Sequence, residues 1–97
     1  MATGEHVEPV VDYVITVHAA LEMKRRGLSE DTIRSVPAAP GQQLEARPGR
    51  VILQSKLSSC AQDRVFLVRV FVDVDRRPVE VVTAYRTTKI EKYWRQP

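Results

Sequence analysis

Residues 64–86 read RVFLVRVFVDVDRRPVEVVTAYR, two runs rich in Val and aromatic residues joined by Asp75–Pro78, a connection short enough to dictate an antiparallel hairpin. The first run is apolar on both faces apart from Arg69 and the aspartates, as a central strand must be. Upstream, GRVILQSKL (residues 49–57) supplies a third strand-like run, with SSCAQD as its connection to the hairpin. Downstream the period changes: over residues 88–95, Ile90, Tyr93 and Trp94 recur at helical spacing.

The N-terminal half carries helix signals instead. Thr16 is a good N-cap for a helix from Val17 to Arg26, and Gly27 stands where a left-handed cap is favoured. Ser29, followed by Glu30 and Asp31, starts a second helix that Pro37 and Pro40 are expected to end. YVITV (residues 13–17) is either a strand or the lead into the first helix, and Ala46–Gly49 reads as a turn. The expectation is an α+β domain with two N-terminal helices, a three- to four-stranded antiparallel sheet and a C-terminal helix. Residues 13–97 form that single domain, and residues 1–12, with His6, form a flexible tail.

The composition is that of a soluble globular chain, 43% hydrophobic and 28% charged, with no run approaching the roughly 20 apolar residues of a membrane helix. The N-terminus lacks a basic segment ahead of an apolar core, so a cytoplasmic chain is expected. A single cysteine, Cys60, rules out an internal disulfide, and with only His6 and His18 beside it the chain offers no closed zinc site; neither metal nor cofactor is expected. Charge is unevenly placed: residues 64–97 hold eight Lys and Arg against four acids, whereas residues 1–63 hold seven against eight. That asymmetry points to a polyanionic or acidic partner for the C-terminal half.

The candidate site residues follow. On a helical wheel His18, Glu22, Arg25 and Arg26 share a polar arc, with Val17, Ala20, Leu21 and Leu28 opposite, Ala19 and Met23 at the margin of that apolar side and Lys24 intruding. His18 can serve as general base in phosphate chemistry near Arg25 or Arg26, or simply support a helix start. In the last strand, strict alternation places Thr83 and Tyr85 on one side, where Tyr85 either stacks on a base, donates to a phosphate or packs at the core edge. Arg86 and Lys89 flank the strand-to-helix junction, with Thr87 or Thr88 as helix cap, a place to hold a phosphate. Arg69, a cation amid apolar residues, needs a partner, and an internal pair with Asp73 is favoured over a substrate.

HAALEMKRRGLSEDTI, GRVILQSK, VFLVRVFVDVD and VVTAYRTTKIEKYW together resemble a family of small bacterial domains. Its pattern is His-Ala at the first helix, Arg-Gly-Ile/Leu-Ser at that helix's end and a closing Val-Thr-x-Tyr-x-Thr-Ser-Lys-Ile run. The match spans about residues 13–95. The family is similar to the RelE and BrnT toxins, which share the fold of barnase-like ribonucleases. The resemblance implies a type II toxin, encoded with a small antitoxin, that cleaves RNA without metal through attack of the ribose 2′-hydroxyl on the adjacent phosphate. By matching position it assigns His18 and Arg26 to the first-helix motif and Thr83, Tyr85 and Lys89 to the closing one, with Arg86 at a position often basic. The chain departs from the pattern at Glu22, where arginine is common, and at Thr88, where serine is usual. The expected roles are His18, Tyr85 and Arg86 in catalysis and Arg26, Arg69, Thr83 and Lys89 in substrate binding. The alternative is a non-catalytic module that binds nucleic acid or protein through the same basic surface.

Overall fold

The computed structural model describes residues 12–59 and 64–95. Cys60, His6 and the expected tail other than Asp12 lie outside them. In chain order the elements are β1 (Tyr13–Ile15), α1 (Val17–Arg25), α2 (Glu30–Ala38), β2 (Gln42–Arg47), β3 (Arg50–Ser59), β4 (Arg64–Asp73), β5 (Val79–Thr87) and α3 (Ile90–Tyr93). The strands form one sheet in the order β1-β5-β4-β3-β2. The class is α+β, as expected, but the sheet has five strands and is mixed.

Two strands account for the difference. The short apolar run at residues 13–15 pairs in parallel with β5, Tyr13 opposite Val79 and Ile15 opposite Val81. QQLEAR lacks the β-branched density that marks a strand, yet β2 pairs with β3 through a two-residue turn at Pro48–Gly49. Ala46 and Arg47 therefore belong to the strand and not to the turn. Gly49 has φ +86°, and a Cβ there would collide with the Asp75 carboxylate, so only glycine fits.

The helices start as their caps dictate: the Ala19 amide donates to Thr16 Oγ1 at 3.1 Å and the Thr32 amide to Ser29 Oγ at 3.1 Å. Gly27, at φ +71°, closes α1. Pro37 does not stop α2, which runs one residue further to Ala38 and buries the proline ring. The last helix is a single turn of four residues in place of the longer segment expected over 88–95. Lys89 is its N-cap without a side-chain cap; Thr87 Oγ1 instead accepts from the Lys89 amide at 3.0 Å.

One face of the sheet carries Leu53, Val70, Val72, Val81 and Ala84, all fully buried against Met23, Leu28, Ile33 and Val36 of the α1–α2 layer. Removing the Leu53 side chain to alanine would cost about 2–5 kcal/mol by cavity formation. On the other face Tyr93 and Trp94 of the C-terminal segment cover the strands, with Lys56 Nζ 4.3 Å from the Trp94 ring centre. No helix among the described residues is long and apolar enough to cross a membrane.

Candidate functional site

The wheel expected for α1 is turned by about half a revolution. Ala19 and Met23 are buried, whereas Val17 and Leu21 are 79% and 59% exposed. The helix thus directs Glu22 and Arg26 at β5 and presents an apolar stripe outward, with Val14 exposed just before it. A wheel finds the most apolar arc; it does not know that a sheet can receive a polar one through hydrogen bonds.

The Glu22 carboxylate is the hub of this seam. Its Oε1 accepts from the Thr83 hydroxyl at 2.6 Å and lies 3.5 Å from Arg26 Nη1, while its Oε2 lies 3.3 Å from His18 Nε2. Arg26 Nη1 also donates to the Ala84 carbonyl at 2.7 Å and to Thr83 Oγ1 at 3.3 Å, tying the end of α1 to the strand. The Glu22 side chain is only 17% exposed and that of His18 is 74% exposed, so an inner anion holds an outer imidazole. The Thr83 hydrogen bond above all, then Arg26 and His18, keep the Glu22 carboxyl below its usual value despite the opposing cost of burial. His18 Nε2 stands within charge-contact range of Oε2 without a hydrogen bond between them.

Thr83 follows a β-bulge and stands beyond the stretch of β5 that β1 covers, Val79–Val81. Val72 pairs with Val81 but Phe71 pairs with Thr83, so Val82 is an extra residue in β5. The bulge ends there: from Thr83 to Thr87 the pairing with β4 is regular, so Thr83 and Tyr85 keep the alternation by two, yet their hydroxyls take different partners. The Thr83 hydroxyl bonds to Glu22 of α1, while Tyr85 lies beside Arg69 on the face of the sheet opposite the helices.

That opposite face has its own polar cluster. Arg69, 8% exposed, donates from Nε to Gln54 Oε1 at 2.8 Å and from Nη1 to the Tyr85 hydroxyl at 2.6 Å. Its guanidinium carbon sits 4.3 Å from the Tyr93 ring centre and 5.6 Å from that of Phe71. The expected ion pair with Asp73 is not made: Asp73 takes two hydrogen bonds from Arg50, at 2.6 and 3.0 Å, which hold its carboxyl below the ordinary range. Gln54 in turn donates to Gln42 Oε1 at 2.8 Å and to the Tyr93 carbonyl at 3.2 Å, and Gln42 brackets the backbone of Arg95. The Tyr85 hydroxyl is the main cause of a lowered Tyr93 phenol.

The expected residues therefore divide into three places. His18, Arg26 and Thr83 come together at the α1–β5 seam; Arg86 continues that seam at the far end of α1, where its Nη2 would be 4.0 Å from a Cβ on Gly27. Tyr85 and Arg69 belong to the opposite face. Lys89 is exposed beyond β5, beside Thr88 and Lys92. Glu22, read from sequence as a departure from pattern, is the residue sequence reasoning missed as a site member. Its signal was visible as spacing, four residues after His18 and four before Arg26. Among the described residues, no three of His, Cys, Asp and Glu gather as metal ligands would. Compared with protein-family models, curated proteins and solved structures, the chain matches none of them.

Proposed function

We propose that this chain is an endoribonuclease of the toxin type, working at the α1–β5 seam and needing no metal or cofactor. The observation that carries the reading is a shielded, ionised carboxylate 3.3 Å from an exposed imidazole, with two arginines along the same seam. His18 takes the proton of the ribose 2′-hydroxyl as the 2′-oxygen attacks the adjacent phosphorus. The bond to the 5′-oxygen breaks, that oxygen is protonated from solvent, and the products carry a 2′,3′-cyclic phosphate and a 5′-hydroxyl. Glu22 stands behind the imidazole and stabilises its protonated form, and Arg26 offsets the charge that builds on the phosphate oxygens, with Arg86 further along at the end of α1. Thr83 is a positioning residue, because its hydroxyl is spent on Glu22.

The resemblance to the RelE and BrnT toxins supports the same reading and adds a small cognate antitoxin as partner. Val17 and Leu21, exposed on the turns that flank His18, give such a protein an apolar surface beside the site. The place of action would be the cytoplasm, free or on the ribosome.

A non-catalytic binding module is favoured by one observation, that Tyr85 is bonded to Arg69 and not to the His18–Glu22 cluster. It predicts salt-sensitive RNA binding without product. Incubation of end-labelled, mixed-sequence RNA with the protein in EDTA separates the two. Cleavage with 2′,3′-cyclic ends supports the ribonuclease; bound but intact RNA, with or without ribosomes, contradicts it.

A further inference from the structure

Two cavities flank α1, and each contains an arginine. The larger, about 600 Å³, lies between β1, α1 and α2, and its Arg34 is already neutralised by Glu30 at 2.6 Å. The smaller, about 290 Å³, opens where α1 ends, between the Gly27–Ser29 turn and strands β3, β4 and β5. Its arginine is Arg86, which has no carboxylate partner among the described residues and lies with its guanidinium carbon 5.2 Å from the Phe66 ring centre.

The walls of the smaller cavity are chemically divided. Leu57, Phe66 and Val68 give an apolar floor, while Ser29, Thr32 and Ser58 place hydroxyls at the rim. Within the rim the Ser29 hydroxyl donates to Thr32 Oγ1 at 2.8 Å, which leaves the Thr32 proton free to donate outward. A phosphate needs converging donors and no apolar floor. A flat heterocycle needs what is here: an aromatic face, a planar cation and short polar groups that meet its edge. The volume, near the lower end of the roughly 300–1,000 Å³ of small-molecule sites, suits one ring system. The opening begins at Gly27, directly after Arg26, so a chain whose phosphate lies at the His18–Arg26 seam has a base within reach of it.

We infer that the Phe66–Arg86 cavity is a nucleobase subsite. It takes one unstacked base of a single-stranded RNA and sets where along the strand the seam acts. This rests on the ribonuclease reading for its place in the reaction, but base binding is measurable without cleavage.

The test is a titration of the full chain, followed by amide NMR, with three probes: adenosine and uridine, which lack phosphate, and ribose 5-phosphate, which lacks a base. The inference expects at least one nucleoside to shift the amides of Gly27, Ser58, Phe66 and Arg86 saturably, while ribose 5-phosphate moves those of the His18–Arg26 seam. Phe66→Leu weakens nucleoside binding by about fivefold or more, the loss of one stacking contact. Ser58→Ala, at an exposed position that does not endanger the fold, weakens it by about threefold, the loss of one neutral hydrogen bond. Nucleosides that leave the cavity amides unmoved, ribose 5-phosphate that fills the cavity in their place, or affinities indifferent to both substitutions would overturn it. A protein that binds nucleosides here yet never cuts RNA loses the ribonuclease reading and keeps the subsite; one that cuts without binding them does the reverse.

Discussion

On the α1 side of the sheet the Glu22 carboxylate gathers His18, Arg26 and Thr83; on the other side Arg69 gathers Gln54, Tyr85 and Tyr93. Both clusters are built around one charged group against the strands, yet they handle that charge differently. Arg69 is 8% exposed, and two of its nitrogens are taken by Gln54 and Tyr85, which the C-terminal segment covers. Glu22 is shielded as well, but it holds His18, whose side chain is 74% exposed. A network that consumes its own donors and acceptors is a structural device. One that holds a proton-transfer group out to solvent is organised for a ligand.

The largest effect expected from this contrast is on stability, at Arg69. Arg69→Ala removes the donor from Gln54 Oε1 and from the Tyr85 hydroxyl, and two unsatisfied groups at about 1–3 kcal/mol each make a loss of about 3 kcal/mol. Urea unfolding reads it, and a loss below about 1 kcal/mol would mean the network is not load-sharing in the way its geometry implies. Next comes His18→Gln, which leaves stability within about 0.5 kcal/mol but lowers RNA cleavage about 100-fold, the low end of what a general base supplies. Cleavage kinetics beside an unfolding curve check both halves of that statement.

Glu22→Gln sharpens the comparison through pH. The folded carboxyl lies below its usual value, so its contribution to stability is complete above the unfolded value of about 4.3 and disappears as pH falls below that, through the lower folded value. The variant lacks this dependence, and its unfolding free energy should fall less steeply than the wild type's across the acid range. Its cleavage rate at neutral pH should drop about tenfold, because an amide beside the imidazole lacks the charge that offsets a proton gained in the reaction. The smallest effect belongs to Tyr85→Phe: about 1 kcal/mol of stability from the lost Arg69 hydrogen bond, and no change in cleavage.

The legible part of the sequence was the part governed by local chemistry. Caps at Thr16 and Ser29, the Gly27 terminus and the β4–β5 hairpin follow from residue type and short spacing, and they stand where the sequence puts them. The illegible part depends on partners distant along the chain. β2 forms from QQLEAR because β3 offers an edge through the Gly49 turn, and no periodicity within six polar residues announces that. Alternation failed at Val82 because a bulge is a property of the pair of strands, not of either one. Thr83 and Tyr85 keep their alternation, but the Thr83 hydroxyl bonds to Glu22 and the Tyr85 hydroxyl to Arg69, partners distant along the chain that divide a site continuous in the sequence. For α1, the polar arc was correctly drawn and wrongly oriented, since Glu22 and Arg26 found hydrogen-bonding partners on β5.

The most direct measurement places the two faces side by side: RNA cleavage in EDTA by the wild type, His18→Ala and Tyr85→Phe, with every protein confirmed folded by thermal melting. The account predicts 2′,3′-cyclic products from the wild type and Tyr85→Phe at equal rates and none from His18→Ala. Cleavage that survives loss of His18, or that disappears with the Tyr85 hydroxyl, would contradict it.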